Sequence, residues 1–268
     1  METLQLNNGN RIDAVGTGTN SFGKEGGRFD GALTNDTHEL MNAFELGYRF
    51  IDTAESYRNE EMVGLALKQS SLPRSAFFVE TKMMTRGYEK IGREETIAAI
   101  ERSLKKLQTD YIDCYLIHMP WDNKEEFPIV WNVLEEYCEK GVLRNIGVSN
   151  FMPEHLQIIL DNCRIKPVVN QIVIQPGNKN EEARRFSLEN GVRPMAWGPL
   201  RFDAQYRAPL EEIGRNYGKS WAQVILRYHY QKGTITIPKS HDAEHQAQNI
   251  EIFDFCLNEE EMTLIDRM

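Results

Sequence analysis

The amino-acid sequence predicts an α/β fold, a (β/α)8 TIM barrel with an N-terminal β-hairpin, and three observations predict it. Eight short apolar runs rich in β-branched and aromatic residues alternate with eight segments of helical period. No Pro/Ser-rich linker and no charge run divides the 268 residues, so one barrel domain over residues 1–268 explains the alternation better than two doubly wound domains. An Asn8-Gly9 pair lies between Leu4, Leu6 and Ile12 and tolerates the positive φ angles of a tight two-residue hairpin turn.

Taken in order, the strand candidates are residues 14–19, 48–53, 77–81, 111–118, 145–149, 168–172, 193–197 and 234–238. The helical segments between and after them are about 35–47, 60–69, 93–107, 126–140, 153–162, 180–190, 208–231 and 242–250. Start and stop signals support several: Thr37 before an apolar stripe, Pro153 in a first turn, Gly141 after Lys140 and Gly191 after Asn190. Residues 21–36 carry Gly23, Gly26, Gly27 and Gly31 and read as a long mobile loop at the active face. In residues 251–268, Phe253, Phe255 and Leu257 alternate before an acidic helix start at Asn258 to Glu261, which predicts a closing element.

Composition excludes several functions. The 31 Lys+Arg against 40 Asp+Glu leave a net charge of -9, which disfavours nucleic acid and acidic membrane surfaces as partners. No apolar stretch approaches the ~18 residues that span a bilayer, and the first residues lack the basic start and apolar run of a secretory signal. A cytoplasmic setting is expected. Cys114, Cys138, Cys163 and Cys256 are scattered without a Cys-x-x-Cys pair and read as free, buried thiols. His38, His155, His229 and His241 fall on helices or their starts without metal-ligand spacing, so no metal site is expected.

In such a barrel the chemistry sits at the carboxyl ends of the strands. Strand two ends in Asp52, with Tyr57 five residues on; strand three ends in Lys82, strand four in His118, and strand five in Ser149 and Asn150. A phenol titrates near 10 and is a poor acid at neutral pH unless a cation favours the phenolate. Lys82 is the candidate cation, Asp52 its partner, and Tyr57 the group that exchanges a proton with substrate. His118 is placed to donate a hydrogen bond to a carbonyl oxygen.

The stretch GYRFIDTAESYRNEEMVG at residues 47–64, with LIHMP at 116–120, GVSNF at 147–151, VNQI at 169–172 and IPKS at 237–240, makes the chain resemble the aldo-keto reductases from residue 11 to 262. The resemblance implies a catalytic tetrad of Asp52, Tyr57, Lys82 and His118. It also implies reduction of an aldehyde or ketone by an extended nicotinamide cofactor, held without a Gly-x-Gly-x-x-Gly turn. Ser149, Asn150 and Gln171 would hold the carboxamide and Trp197 would stack on the nicotinamide. Gly18 and Thr19 would line the cofactor cleft, and Leu200 would lie near the pyrophosphate. Lys239 and Ser240 fall where the 2'-phosphate is held, and an ammonium, a hydroxyl and a helix start suit a phosphate monoester.

Departures from the family pattern bear on specificity. His245 replaces the Arg that many NADPH-using relatives place on the adenine and 2'-phosphate, and Gln248 and Asn249 replace a Glu-Asn pair. A mostly neutral imidazole cannot make the guanidinium fork. The expectation is therefore NADPH with dual use of NADH. Met119 stands where many relatives carry Trp, giving a more adaptable wall. The carboxy-terminal loop is expected to be absent or very short, which leaves substrate selection to residues 20–31 with Phe22, to Met119 and Trp121, and to Phe202. The expected partner is a small carbonyl compound, with the chain a monomer or weak homodimer. A cofactor-binding redox sensor or regulatory subunit on the same barrel is the alternative, and the complete tetrad favours catalysis. A metal-dependent hydrolase would need clustered strand-end ligands, and one strand-end histidine is present.

Overall fold

The computed structural model describes residues 1–87 and 90–268. A two-stranded antiparallel hairpin, β1 (Thr3–Gln5) and β2 (Arg11–Asp13), opens the chain. Eight parallel strands follow in sequential order: β3 (Thr17–Gly18), β4 (Phe50–Asp52), β5 (Phe78–Met83), β6 (Cys114–Ile117), β7 (Ile146–Ser149), β8 (Val169–Val173), β9 (Arg193–Trp197) and β10 (Ile235–Ile237). The first and last meet through a Val15–Thr236 bridge, and the Gly18 N–H donates to Pro238 O at 3.1 Å, so the sheet curls into a barrel. The strands pass one residue pair at a time from Gly18 beside Asp52 to Trp197 beside Ile237, which brings their carboxyl ends to one rim.

The helices are α1 (His38–Glu45), α2 (Glu60–Gln69), α3 (Arg93–Leu107), α4 (Phe127–Glu139), α5 (Pro153–Asn162), α6 (Glu181–Glu189), α7 (Arg207–Arg215), α8 (Trp221–Gln231), α9 (Ala243–Ile250) and α10 (Glu259–Asp266). Most lie within a few residues of their sequence positions. The expected single helix over 208–231 is corrected to two. Gly218 turns the chain at φ +66°, and Ser220 caps α8 by accepting from the Gln223 N–H while Gln223 returns a bond to the Ser220 N–H.

The hairpin turn is also corrected. Leu6 N–H donates to Asn10 O and Gly9 N–H to Leu6 O, with Gly9 at φ +87°, so three residues rather than two make the loop. Leu6 and Ile12 then bury against Phe50, Leu116, Val169, Met195 and Ile235, and the hairpin plugs the amino end of the barrel. Gly16 has no room for a side chain: a Cβ there would lie 2.3 Å from the Phe50 ring. A second cluster, including Leu40, Val63, Ile100, Leu134 and Ile159, fills the layer between the barrel and its helices. Residues 21–36 are not devoid of structure, since they hold a short 3-10 turn at Glu25–Gly27 and a Lys24–Leu33 bridge. The four cysteines are free; Cys114 is buried, whereas Cys256 is exposed, contrary to the expectation that all are buried. Among the described residues no helix is long and apolar enough to cross a membrane.

Candidate active site

A cavity of about 580 Å³ opens at the carboxyl rim of the barrel, within the range that takes a small molecule or cofactor. Asp52, Tyr57, His118, Met119, Ser149, Asn150, Gln171, Trp197, Leu200 and Lys239 line it, with Gly18 at its edge. The strand frame explains the convergence: Asp52 ends β4, Lys82 is one residue from the end of β5, and His118 follows the last residue of β6.

Lys82 is fully buried beneath this cavity. Its ammonium donates to Asp52 Oδ1, to Thr53 O at 2.8 Å and to the Tyr57 hydroxyl at 3.4 Å. Burial by itself would push the lysine down, but the charges of Asp52, Tyr57 and Glu80 outweigh it and hold its pKa above the ordinary value. Tyr57 moves in the direction opposite to the sequence expectation. Burial pushes the phenol up to about 12, and the opposing pull of Lys82 only moderates that rise. The His118 ring meets Tyr57 edge-on at 5.8 Å, with Ser56 Oγ 3.3 Å from its Nδ1. Burial, then the nearby Lys82 charge, lower its pKa to about 3, so the imidazole is neutral at physiological pH.

A hydrogen-bonded wall continues from the histidine. Asn150, at φ +61°, donates from Nδ2 to His118 O and Ser149 Oγ, each at 3.0 Å, and accepts the Trp197 indole N–H at 3.0 Å. Gln171 Nε2 donates to Asp52 Oδ1 at 2.9 Å and to Glu80 Oε1 at 2.6 Å. Glu80 was not among the sequence candidates. It faces the barrel interior two residues before Lys82, fully buried, and burial followed by the Asp52 charge pushes its carboxyl well above the ordinary range.

Several expected residues stand elsewhere. Phe22 is fully buried and packs edge-on against His241, so it does not face the cavity. Phe29, seven residues on, takes that place: it is 52 % exposed, lines the cavity and meets the Tyr57 ring edge-on at 6.2 Å. Lys24 secures it by donating to Phe29 O at 2.7 Å. Trp121 turns its indole N–H to Glu126 and packs on Phe127, and Phe202 packs against Trp221, both off the cavity. Thr19 is buried and holds Asp52 O through its hydroxyl at 2.9 Å instead of lining the cleft. Ser240, Gln248 and Asn249 lie beyond the cavity, and the His245 ring is 68 % exposed on the first turn of α9. The residues beside Lys239 that sequence reading passed over are Ser21, Arg201 and His241. Ser21 and Arg201 follow strand ends, a positional signal that could have found them.

The family model described as "Aldo/keto reductase family" matches residues 14–268. The glyoxal reductase of Bacillus subtilis (strain 168) is 39 % identical over 268 residues, covering 100 % of this chain and 92 % of that protein. The crystal structure of an aldo/keto reductase from Brucella melitensis superposes with a TM-score of 0.89 at 36 % identity, covering 99 % of this chain and 98 % of that one. That of a Bombyx mori aldo-keto reductase in complex with NADP gives 0.87 at 33 % identity, covering 99 % and 92 %.

Proposed function

The chain belongs to the aldo/keto reductase family, whose members are NAD(P)H-dependent oxidoreductases, and from that premise we propose that it reduces a small aldehyde or ketone to the alcohol, using NADPH and taking the proton from Tyr57. The observation that carries this reading is the buried Lys82 ammonium joined to both Asp52 and the Tyr57 hydroxyl at the edge of the cavity. The similarity to a glyoxal reductase favours compact carbonyl and dicarbonyl compounds. Its expected setting is the cytoplasm, as one barrel unit that is a monomer or weak homodimer.

A nicotinamide held in the cavity against Trp197 would supply hydride to the carbonyl carbon. Tyr57, with its pKa pushed up to about 12, remains a phenol at neutral pH and so has a proton to give as charge develops on the oxygen. The phenolate left behind is stabilised by the ammonium below it, which Asp52 holds in place. His118 is neutral, and this reading takes the tautomer protonated on Nε2, which donates to the carbonyl oxygen while Nδ1, 3.3 Å from Ser56 Oγ, accepts the serine hydroxyl proton. Gln171 spends its amide N–H groups on Asp52 and Glu80, which leaves Oε1 to accept from the carboxamide. Trp197, pinned through its indole N–H, offers a fixed face for the ring, and Lys239 and Arg201 offer cations for the phosphates.

Tyr57→Phe tests the assignment. The expected result is a loss of kcat on small aldehydes of about 10³-fold, with the NADPH dissociation constant, read by fluorescence titration, changed less than about twofold. Turnover near that of the parent chain would overturn it.

A further inference from the structure

Among the described residues Lys239 meets no carboxylate directly. Its ammonium donates to Ser21 Oγ at 2.5 Å and lies 3.3 Å from His241 Nε2. Ser21 Oγ is 2.9 Å from that same nitrogen, and His241 Nδ1 bonds Glu39 Oε1. Glu39, on α1, is anchored in turn, since its Oε2 accepts the Gly23 N–H at 3.2 Å. These four side chains come from the loop after β3, from α1 and from the turn after β10, and they are brought together only by barrel closure.

The donors run in one direction. An ammonium has N–H groups and no acceptor, so Ser21 Oγ accepts from Lys239 and its hydroxyl proton turns to His241 Nε2. A nitrogen that accepts cannot carry the ring proton, which assigns that proton to Nδ1, where Glu39 accepts it. The ring is wedged as well as bonded: Phe22 lies edge-on at 5.5 Å, and at Gly27 a Cβ would come within 3.0 Å of it. The serine and the carboxylate at either side of the imidazole are buried, 2 % and 7 % exposed, while His241 itself is 36 % exposed and Lys239 opens to the cleft.

We propose that Glu39, His241 and Ser21 form a relay that positions Lys239 and so sets the preference for a phosphorylated over an unphosphorylated nicotinamide nucleotide. The inference rests on the reading that Lys239 receives the 2'-phosphate. A direct Lys–Glu ion pair would neutralise the cation before a ligand arrived. The relay keeps the carboxylate two side chains away, compensates the ammonium through aligned dipoles, and leaves one of its N–H groups for the cleft. Burial pushes the lysine below its ordinary pKa, Glu39 opposes that, and Arg201 adds to it, so the distant carboxylate also keeps the ammonium charged. His245, the residue that sequence pattern put at the phosphate, has no part in this chain.

The test compares 2',5'-ADP with 5'-AMP, which bring the 2'-phosphate question to a nucleotide without nicotinamide, by calorimetric titration of the full chain and of Lys239→Met, Ser21→Ala and Glu39→Gln. Lys239→Met should lower the preference for 2',5'-ADP about tenfold or more, and Ser21→Ala and Glu39→Gln about three- to tenfold, with 5'-AMP affinity within about twofold in each. An unchanged preference in Lys239→Met would show that Lys239 does not receive the phosphate. A lowered preference in Lys239→Met with an unchanged one in both relay variants would overturn the relay alone. Equal weakening of both nucleotides in both relay variants would mark a merely structural role and would also overturn it.

Discussion

Two buried carboxyl groups flank Lys82, and they play different parts. Asp52 accepts from the ammonium directly, whereas Glu80 reaches the site through Gln171 and is held well above the ordinary carboxylic pKa by burial and then by the Asp52 charge. One cation and two carboxyl groups in a dry interior balance when one carboxyl keeps its proton. The two isosteric amides should therefore separate. Asp52→Asn leaves a buried ammonium without its counter-charge and should cost about 3 kcal/mol or more in urea unfolding, while Glu80→Gln replaces an uncharged group by another and should cost less than about 1.5 kcal/mol. Equal losses would show that Glu80 is ionised. At this scale the residues of the Lys82 cluster were legible in the sequence except Glu80, because Asp, Tyr, Lys and His at strand ends are conspicuous, whereas a Glu inside a strand reads as an outward-facing polar residue. The direction of the Tyr57 shift was not legible: spacing shows that Lys82 is near, and only burial shows that desolvation outweighs it.

Among the elements, the break between α7 and α8 is the clearest case of local chemistry overriding periodicity. Apolar residues recur at helical spacing through 208–231, yet Gly218 and the Ser220–Gln223 box end one helix and start the next. The two helices then pack together, and Lys219 O comes so near Gly214 that a Cβ there would lie 2.2 Å away. Ser220→Ala should lower stability by about 1 kcal/mol through the lost cap, read as a shift in the thermal midpoint; no shift would mean that packing alone sets the start of α8. The stop and start signals were present in the sequence, and the continuous stripe concealed them. The loop after β3 shows the opposite case. Its glycines announced irregular backbone, but nothing local distinguished Phe22, which turns into the core, from Phe29, which turns toward Tyr57.

For the molecule as a whole, acid stability follows from two histidines kept neutral by burial. His118 and His229 each have a folded pKa lowered to about 3, by burial first and then by Lys82 for the former and Lys179 for the latter. The unfolded chain takes up these protons near pH 6.5 and the folded chain does not, so stability present above about pH 6.5 is lost as pH falls toward 3, at up to about 1.4 kcal/mol per pH unit for each histidine. Urea midpoints at pH 7.5, 5.5 and 4.5 should fall accordingly, and His229→Gln should flatten the slope by about the share of one histidine. A slope unchanged by that substitution would show that His229 is protonated in the fold. His229 sits on α8 with an Nε2 that has no hydrogen-bond partner among the described residues, which makes it a suitable reporter away from the cavity.

The alternation of strands and helices, the barrel, and the gathering of Asp52, Tyr57, Lys82 and His118 at one rim followed from the sequence alone. Hydrophobic period, capping residues and position along a strand are local properties, and a regular fold turns them into place. Tertiary structure decided which of the remaining polar residues meet. Ser21, Glu39, Lys239 and His241 lie as far as 220 residues apart along the chain and come into contact because β3 and β10 close the barrel side by side. No local pattern encodes that contact, since it depends on how the loops turn after the strands end, and the packing of Phe22 and Gly27 around one imidazole settles it.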